Sequence, residues 1–150
     1  MQPTTAAPPS LLGLTTYLLS RTGKSARGRL ADRLAGHGLR LWHLAALAAL
    51  ADFGPHVQRE LSVRLSVDPS DIAKVVDELA TRGWVDRSRD PADRRRVRIS
   101  LTAAGRGALR DLHAEAQEVQ GELLAPLSTA EQAQLTALLR RVLDGVTADR

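Results

Sequence analysis

The sequence predicts a mainly α-helical domain carrying one small β-hairpin, and three observations predict it. Two short amphipathic segments within 56–82 are joined by a tight turn, the pattern of two helices packed at an angle. An arginine-rich hairpin follows them directly, at 84–101. On either side, at 10–35 and 103–146, run long segments whose apolar residues recur at helical spacing.

The 150 residues, 43% of them hydrophobic, suffice for a single domain over 10–146 with its own core, preceded by a flexible N-terminal arm at 1–9. Cysteine is absent, which excludes disulfides, thiolate metal sites and thiol redox switches. The opening Met-Gln-Pro-Thr-Thr-Ala-Ala-Pro-Pro lacks the basic flank and apolar run of a leader, and no later stretch approaches the roughly 18 apolar residues of a membrane span. A cytoplasmic protein with no membrane partner is expected. Aromatic residues make up 3% of the chain, too few for a surface that stacks single-stranded bases.

The elements follow in order. Leu11, Leu14, Leu18, Ala26, Leu30 and Leu34 mark one long amphipathic helix, weakened around Gly23. After Gly36-His37-Gly38, the segment 41–53 is apolar on nearly every side and stops at Gly54-Pro55, as a buried central helix would. Leu61 and Leu65 share a face of a short helix; Asp68-Pro69 then caps and opens a second one through Ile72, Val75, Val76 and Leu79, ending at Gly83. The turn between them is Ser66-Val67. Trp84-Val85 enters the hairpin, Asp90-Pro91-Ala92-Asp93 turns it, and Val97, Ile99 and Leu101 alternate on the way back. Thr102 can cap the next helix, whose Leu109, Leu112, Ala116, Val119 and Leu123 form the seam of a helix pair. Pro126 interrupts the chain, Ser128 and Glu131 form a capping box, and Leu135, Leu138, Val142 and Val146 make the last stripe.

Charge is concentrated. Between Arg82 and Arg98 stand seven arginines and three aspartates, which account for the entire net charge of +4. A basic loop alone is usually a solvated surface. Beside a helix-turn-helix it acquires a specific use, because a helix reads base edges in the major groove while arginine on a thin hairpin enters the electronegative minor groove. The order of parts is that of a winged helix-turn-helix.

The residues also resemble the MarR (multiple antibiotic resistance regulator) family, whose wing signature is Asp-x-Arg, five residues, then Leu-Thr-x-x-Gly. Here it stands as Asp93-Arg94-Arg95, Arg96 to Ser100, and Leu101-Thr102-Ala103-Ala104-Gly105. Gly38-Leu39, Glu60-Leu61 and Val76-Asp77-Glu78-Leu79 before Gly83 extend the likeness, which covers residues 11–146. The resemblance implies a bacterial, two-fold homodimeric regulator, by default a repressor, that binds a palindromic site on double-stranded DNA. The arginine- and alanine-rich composition, with Lys24 and Lys74 the only lysines, agrees with a high-GC bacterial source.

Carried over by position, the resemblance puts Pro69, Ser70, Asp71, Ala73 and Lys74 in the major groove. It inserts Arg95 in the minor groove, sets Arg94 or Arg96 on phosphates, and leaves Arg87 and Arg89 to support the wing base. Asp93 would order the wing, by pairing with an arginine or by capping the turn. The dimer would be joined through Leu11, Leu14, Leu18, Leu112, Leu123, Leu135, Leu138 and Val142, stripes with no obvious partner inside one protomer. Two positions depart from the family: Asp71 replaces a frequent hydroxyl residue, and Arg40 replaces the usual threonine cap.

A small, often anionic aromatic effector is implied as well, in a crevice between the dimer helices and the winged motif. Tyr17, Arg21, Trp42 and His43 are placed to line it, although each also reads as an ordinary residue of an amphipathic helix. His43 and His113 stand where some relatives bind zinc, but with only Glu115 or Glu118 to add, no metal and no cofactor are expected. No metalloprotease, nucleophile-elbow or phosphate-loop motif is present, so no catalytic residues and no enzyme activity are expected. The alternative reading, motivated by the carboxylate of Asp71, is a winged-helix protein-interaction module or a DNA-binding dimer without an effector.

Overall fold

The computed structural model describes residues 6–150, so residues 1–5 of the expected arm lie outside the described residues. Residues 6–8 have no regular structure, and a short 3-10 turn spans Pro9–Leu11. There follow α1 (Thr15–Ala35), α2 (Leu41–Phe53), β1 (His56–Val57), α3 (Gln58–Leu65), α4 (Pro69–Thr81), β2 (Val85–Arg89), β3 (Val97–Leu101), α5 (Ala103–Leu123) and α6 (Thr129–Ala148). No described helix is long and apolar enough to cross a membrane.

Two local expectations are revised. The first long helix does not begin at Ser10: Leu14 is extended and serves as the N-cap, while the helix runs unbroken through Gly23 and Gly28. Glycine lowers helix propensity without stopping a helix whose later turns are held by packing. The sheet has three strands, in the antiparallel order β1-β3-β2, because His56 pairs with Ile99 and Val57 with Arg98. A two-residue strand leaves no period to read.

The remaining boundaries follow their signals. Gly54 ends α2 at φ 81°, and Gly83 leaves α4 at φ 73°, conformations that disfavour side chains. Between α3 and α4, Ser66 adopts the left-handed conformation at φ 53°, and Val67 N–H donates to Ser62 O at 3.0 Å, which makes the turn tight. Arg40, the N-cap of α2, supplies no side-chain cap; its own N–H donates instead to His43 Nδ1 at 2.9 Å.

The core is built on α2. Leu34, Leu47, Leu61, Ile72, Leu79 and Ile99 are fully buried together, so the end of α1, all of the helix-turn-helix and the middle strand share one apolar interior. Leu112 belongs to that interior at 4% exposure, which corrects its assignment to a seam between protomers: the face of α5 that carries it is already covered by its own chain. The outer stripe differs. No residue of α6 is buried, Leu138 and Val142 are about half exposed, and so are Leu14 and Leu18 on the other side of the chain. Leu11, Leu123 and Leu135 are partly covered.

The Leu-Thr-x-x-Gly signature acquires a physical meaning at the junction of wing and helix. Thr102 Oγ1 donates to Gly83 O at 2.7 Å and accepts Gly105 N–H at 3.0 Å, while Thr102 N–H donates to Trp84 O at 3.0 Å. Gly105 is buried there, and a Cβ on it would lie 2.0 Å from Trp84 O and 2.7 Å from Leu101 Cδ1. Backbone cannot yield as a side-chain tip does. Gly105→Ala is therefore expected to destabilise the domain by about 1–3 kcal/mol, the usual cost of overpacking, and to lower its thermal midpoint by several degrees. An unchanged midpoint would show that the junction relaxes freely.

Candidate nucleic-acid interface

The first turn of α4 is built by its cap. Asp68 Oδ1 accepts Ser70 N–H at 2.8 Å and the Ser70 hydroxyl at 2.5 Å. These bonds, the hydroxyl foremost, hold the Asp68 carboxyl below the usual aspartate range. Pro69 fills the first helical position, Ile72, Val75, Val76 and Leu79 bury the inner face, and Ser70, Asp71 and Lys74 stand exposed with Ala73 half-buried. The Asp71 carboxylate lies in the first turn, where the helix dipole favours it.

The wing sorts its arginines into two sets. Asp90 Oδ1 accepts Ala92 N–H at 2.9 Å and Asp93 Oδ1 accepts Arg95 N–H at 3.0 Å, so both aspartates shape the turn. Arg89 donates to Arg94 O at 2.8 Å, across the tip. Arg87 is ion-paired with Asp77 of α4, and Arg96 with Glu60 of α3 at 2.8 Å. Among the described residues the guanidiniums of Arg94 and Arg95 have no partner, and both are exposed. Arg96, one of the two arginines expected on phosphates, is here paired with a carboxylate of its own chain.

Glu60 was legible only as part of the Glu60-Leu61 likeness to the family, and its double use was not. Its carboxylate accepts Val57 N–H at 3.0 Å and holds Arg96, two effects that keep it below the usual glutamate range, the backbone bond foremost. The spacing from Val57 to Glu60 signals the first contact; nothing local signals a partner 36 residues on.

The four residues expected around an effector share none of the cavities described below. Tyr17 and Arg21 sit together on α1, the guanidinium 5.9 Å from the ring centroid, and Trp42 is 40% exposed. His43 is corrected to a core residue: at 1% exposure, its Nδ1 accepts Arg40 N–H, so the ring proton rests on Nε2 and is donated to Glu78 Oε2 at 2.6 Å. Two cavities instead flank α5. One, of about 440 Å³, is lined by His37, Leu39, Arg82, Trp84, Asp111 and Glu115, with the Arg82 guanidinium 5.0 Å from the Trp84 centroid. The other, of about 370 Å³, lies against Ala48, Asp52, Arg110, His113 and Gln117. His43 and His113 do not meet, and no cluster of three or more histidine, aspartate or glutamate residues suited to a metal occurs among the described residues.

A helix-turn-helix braced against an arginine-tipped three-stranded wing defines the winged-helix class. Comparison with known proteins narrows it. A family model described as the MarR family matches residues 37–96. The transcriptional repressor NicR of Pseudomonas putida is 35% identical over 98 residues, 65% of this chain and 62% of that protein. The matched segments thus span less than two thirds of the first curated relatives. Among solved structures, a probable transcriptional regulator from Pseudomonas aeruginosa is 36% identical with a TM-score of 0.72, covering 88% of this chain and 98% of that one. The PcaV transcriptional regulator of Streptomyces coelicolor, solved with its natural ligand, is 32% identical with a TM-score of 0.69 over 94% and 99% of the two chains. The chain belongs to the MarR family.

The lowered Asp68 carboxyl sets a pH dependence. A carboxyl whose folded value lies below its unfolded one contributes stability that is complete near neutrality and disappears as the pH falls through the folded value. Asp68→Ala should lower the thermal midpoint at pH 7, and the difference from the parent should shrink as the pH approaches about 3, below the unperturbed aspartate value. A difference independent of pH would contradict the capping account.

Proposed function

We propose that the protein is a homodimeric transcriptional regulator that binds a palindromic site on double-stranded DNA, acting as a repressor that a small-molecule effector releases. The observation that carries this reading is the pair of unpartnered, exposed guanidiniums, Arg94 and Arg95, at the tip of a wing in which Arg87, Arg89 and Arg96 are tied down. Arg95 is the group assigned to the minor groove, with Arg94 on phosphate and Ser70, Asp71, Ala73 and Lys74 in the major groove.

The dimer is supported by apolar surface that one protomer leaves uncovered. Leu14 and Leu18 before and within α1, and Leu138, Leu139, Val142 and Leu143 on α6, are 40–63% exposed, a stripe too long and too apolar for a monomer's solvent face. Leu11, Leu123 and Leu135 continue it. The effector reading rests on the cavity bounded by Trp84, Arg82, His37 and α5, which joins the winged motif to the long helices, and on the ligand-bound relative PcaV. The carboxylate of Asp71 would accept from a cytosine amino group.

Binding of the purified protein to the intergenic DNA beside its own gene, at two salt concentrations, tests this reading. Saturable, salt-sensitive binding is expected, and Arg95→Ala should weaken it by about 1–3 kcal/mol, roughly 5- to 150-fold, without changing the oligomeric state. Saturable binding that Arg95→Ala leaves intact would remove the wing assignment; absence of specific binding would favour a protein-interaction module.

A further inference from the structure

The wing is fastened to the helix-turn-helix on both sides by carboxylates. Glu60, at the start of α3, holds Arg96, and Asp77, on the outer side of α4, holds Arg87. All four side chains remain substantially open to solvent, between 39% and 67% exposed, so neither pair is a sealed core contact. Exposed pairs of this kind add little to folding stability. Their placement has a larger consequence for charge. Of the five arginines from Arg87 to Arg96, two are neutralised by carboxylates and a third is spent on a backbone carbonyl, which leaves two to face outward.

Glu60 is the better placed of the two carboxylates for such a role. One of its oxygens is fixed by Val57 N–H at 3.0 Å, so the other is presented to Arg96 from a rigid position at the edge of the wing. Arg96 is adjacent in sequence to the free Arg95, and its backbone closes the turn through Asp90 N–H to Arg96 O at 2.8 Å. Its guanidinium would otherwise swing free beside that of Arg95, as a third cation able to take any phosphate.

We propose that Glu60 is a specificity-determining residue that withholds Arg96 from DNA phosphates, with Asp77 doing the same for Arg87. The inference rests on the DNA-binding reading above. A non-specific complex draws its affinity from the number of phosphates neutralised, and a specific one adds contacts to base edges. Withholding a cation therefore lowers affinity for unrelated duplex more than it lowers affinity for the site, and widens the ratio between them.

Glu60→Gln tests this, because glutamine keeps an acceptor for Val57 N–H and removes the charge that holds Arg96. Affinity for an unrelated duplex and for the protein's own intergenic DNA would be measured across salt for the parent, Glu60→Gln and the double variant Glu60→Gln/Arg96→Ala. The logarithmic salt slope should steepen by about 0.9, one more phosphate, and affinity for the unrelated duplex at low salt should rise roughly five- to tenfold. The specific-to-unrelated ratio should fall, and the added slope should vanish in the double variant, which assigns it to Arg96. A Glu60→Gln slope equal to or shallower than the parent's, with parental DNA binding intact, would overturn this inference alone. Failure of the parent to bind any duplex would overturn the DNA-binding reading and this inference with it.

Discussion

The rest of the structure depends on the Thr102 junction. One hydroxyl donates to the carbonyl that follows the second motif helix and accepts from the first turn of α5, while the adjacent amide seals the wing to Trp84 O. Three bodies, α4, the wing and α5, meet at that point, and Gly105 lets them meet because any side chain would strike Trp84 O. A rigid joint has a functional consequence on the proposed reading. Such a joint would pass a displacement of α5 to the wing, and the cavity beside Arg82 and Trp84 lies against it.

The charge of the molecule is arranged on that frame more sparingly than its sequence suggests. Seven arginines between Arg82 and Arg98 read as a basic cluster, yet the fold uses Arg82 over Trp84, Arg89 on a carbonyl, and Arg87 and Arg96 on carboxylates. What is left is Arg98, half-buried on β3, and an exposed pair, Arg94 and Arg95, held out by a turn that Asp90 and Asp93 cap. Two outward cations on an ordered tip match a narrow groove better than a diffuse patch would.

Local chemistry explains what was legible in the sequence. Asp68 and Pro69 opened α4, Ser128 and Glu131 opened α6, Gly54 and Gly83 closed their helices, and Thr102 capped α5, because each signal acts within four residues. Period gave the helices and the alternation of Val97, Ile99 and Leu101 gave the hairpin. What escaped was non-local. A two-residue strand has no pattern, and Glu60 and Arg96 meet across 36 residues. Leu112 and Leu138 carry the same apolar character, yet one is 4% and the other 47% exposed, a difference that packing decides and spacing does not. The family resemblance put His43 in a pocket; a single carboxylate, Glu78, and one backbone amide make it a core residue.

The half-exposed leucines and valines of α6, together with those before and within α1, are the surface on which the proposed dimer rests. On the proposed reading a second copy covers them, two winged motifs come under one two-fold axis, and that symmetry has to appear in the target. Selection of bound duplexes from a random pool, followed by footprinting of the enriched sequence, reads that symmetry directly. The account predicts an inverted repeat whose half-sites lie about one helical turn apart, with protection in the minor groove where the wings reach. Enrichment of an asymmetric single site, or of nothing, would contradict it.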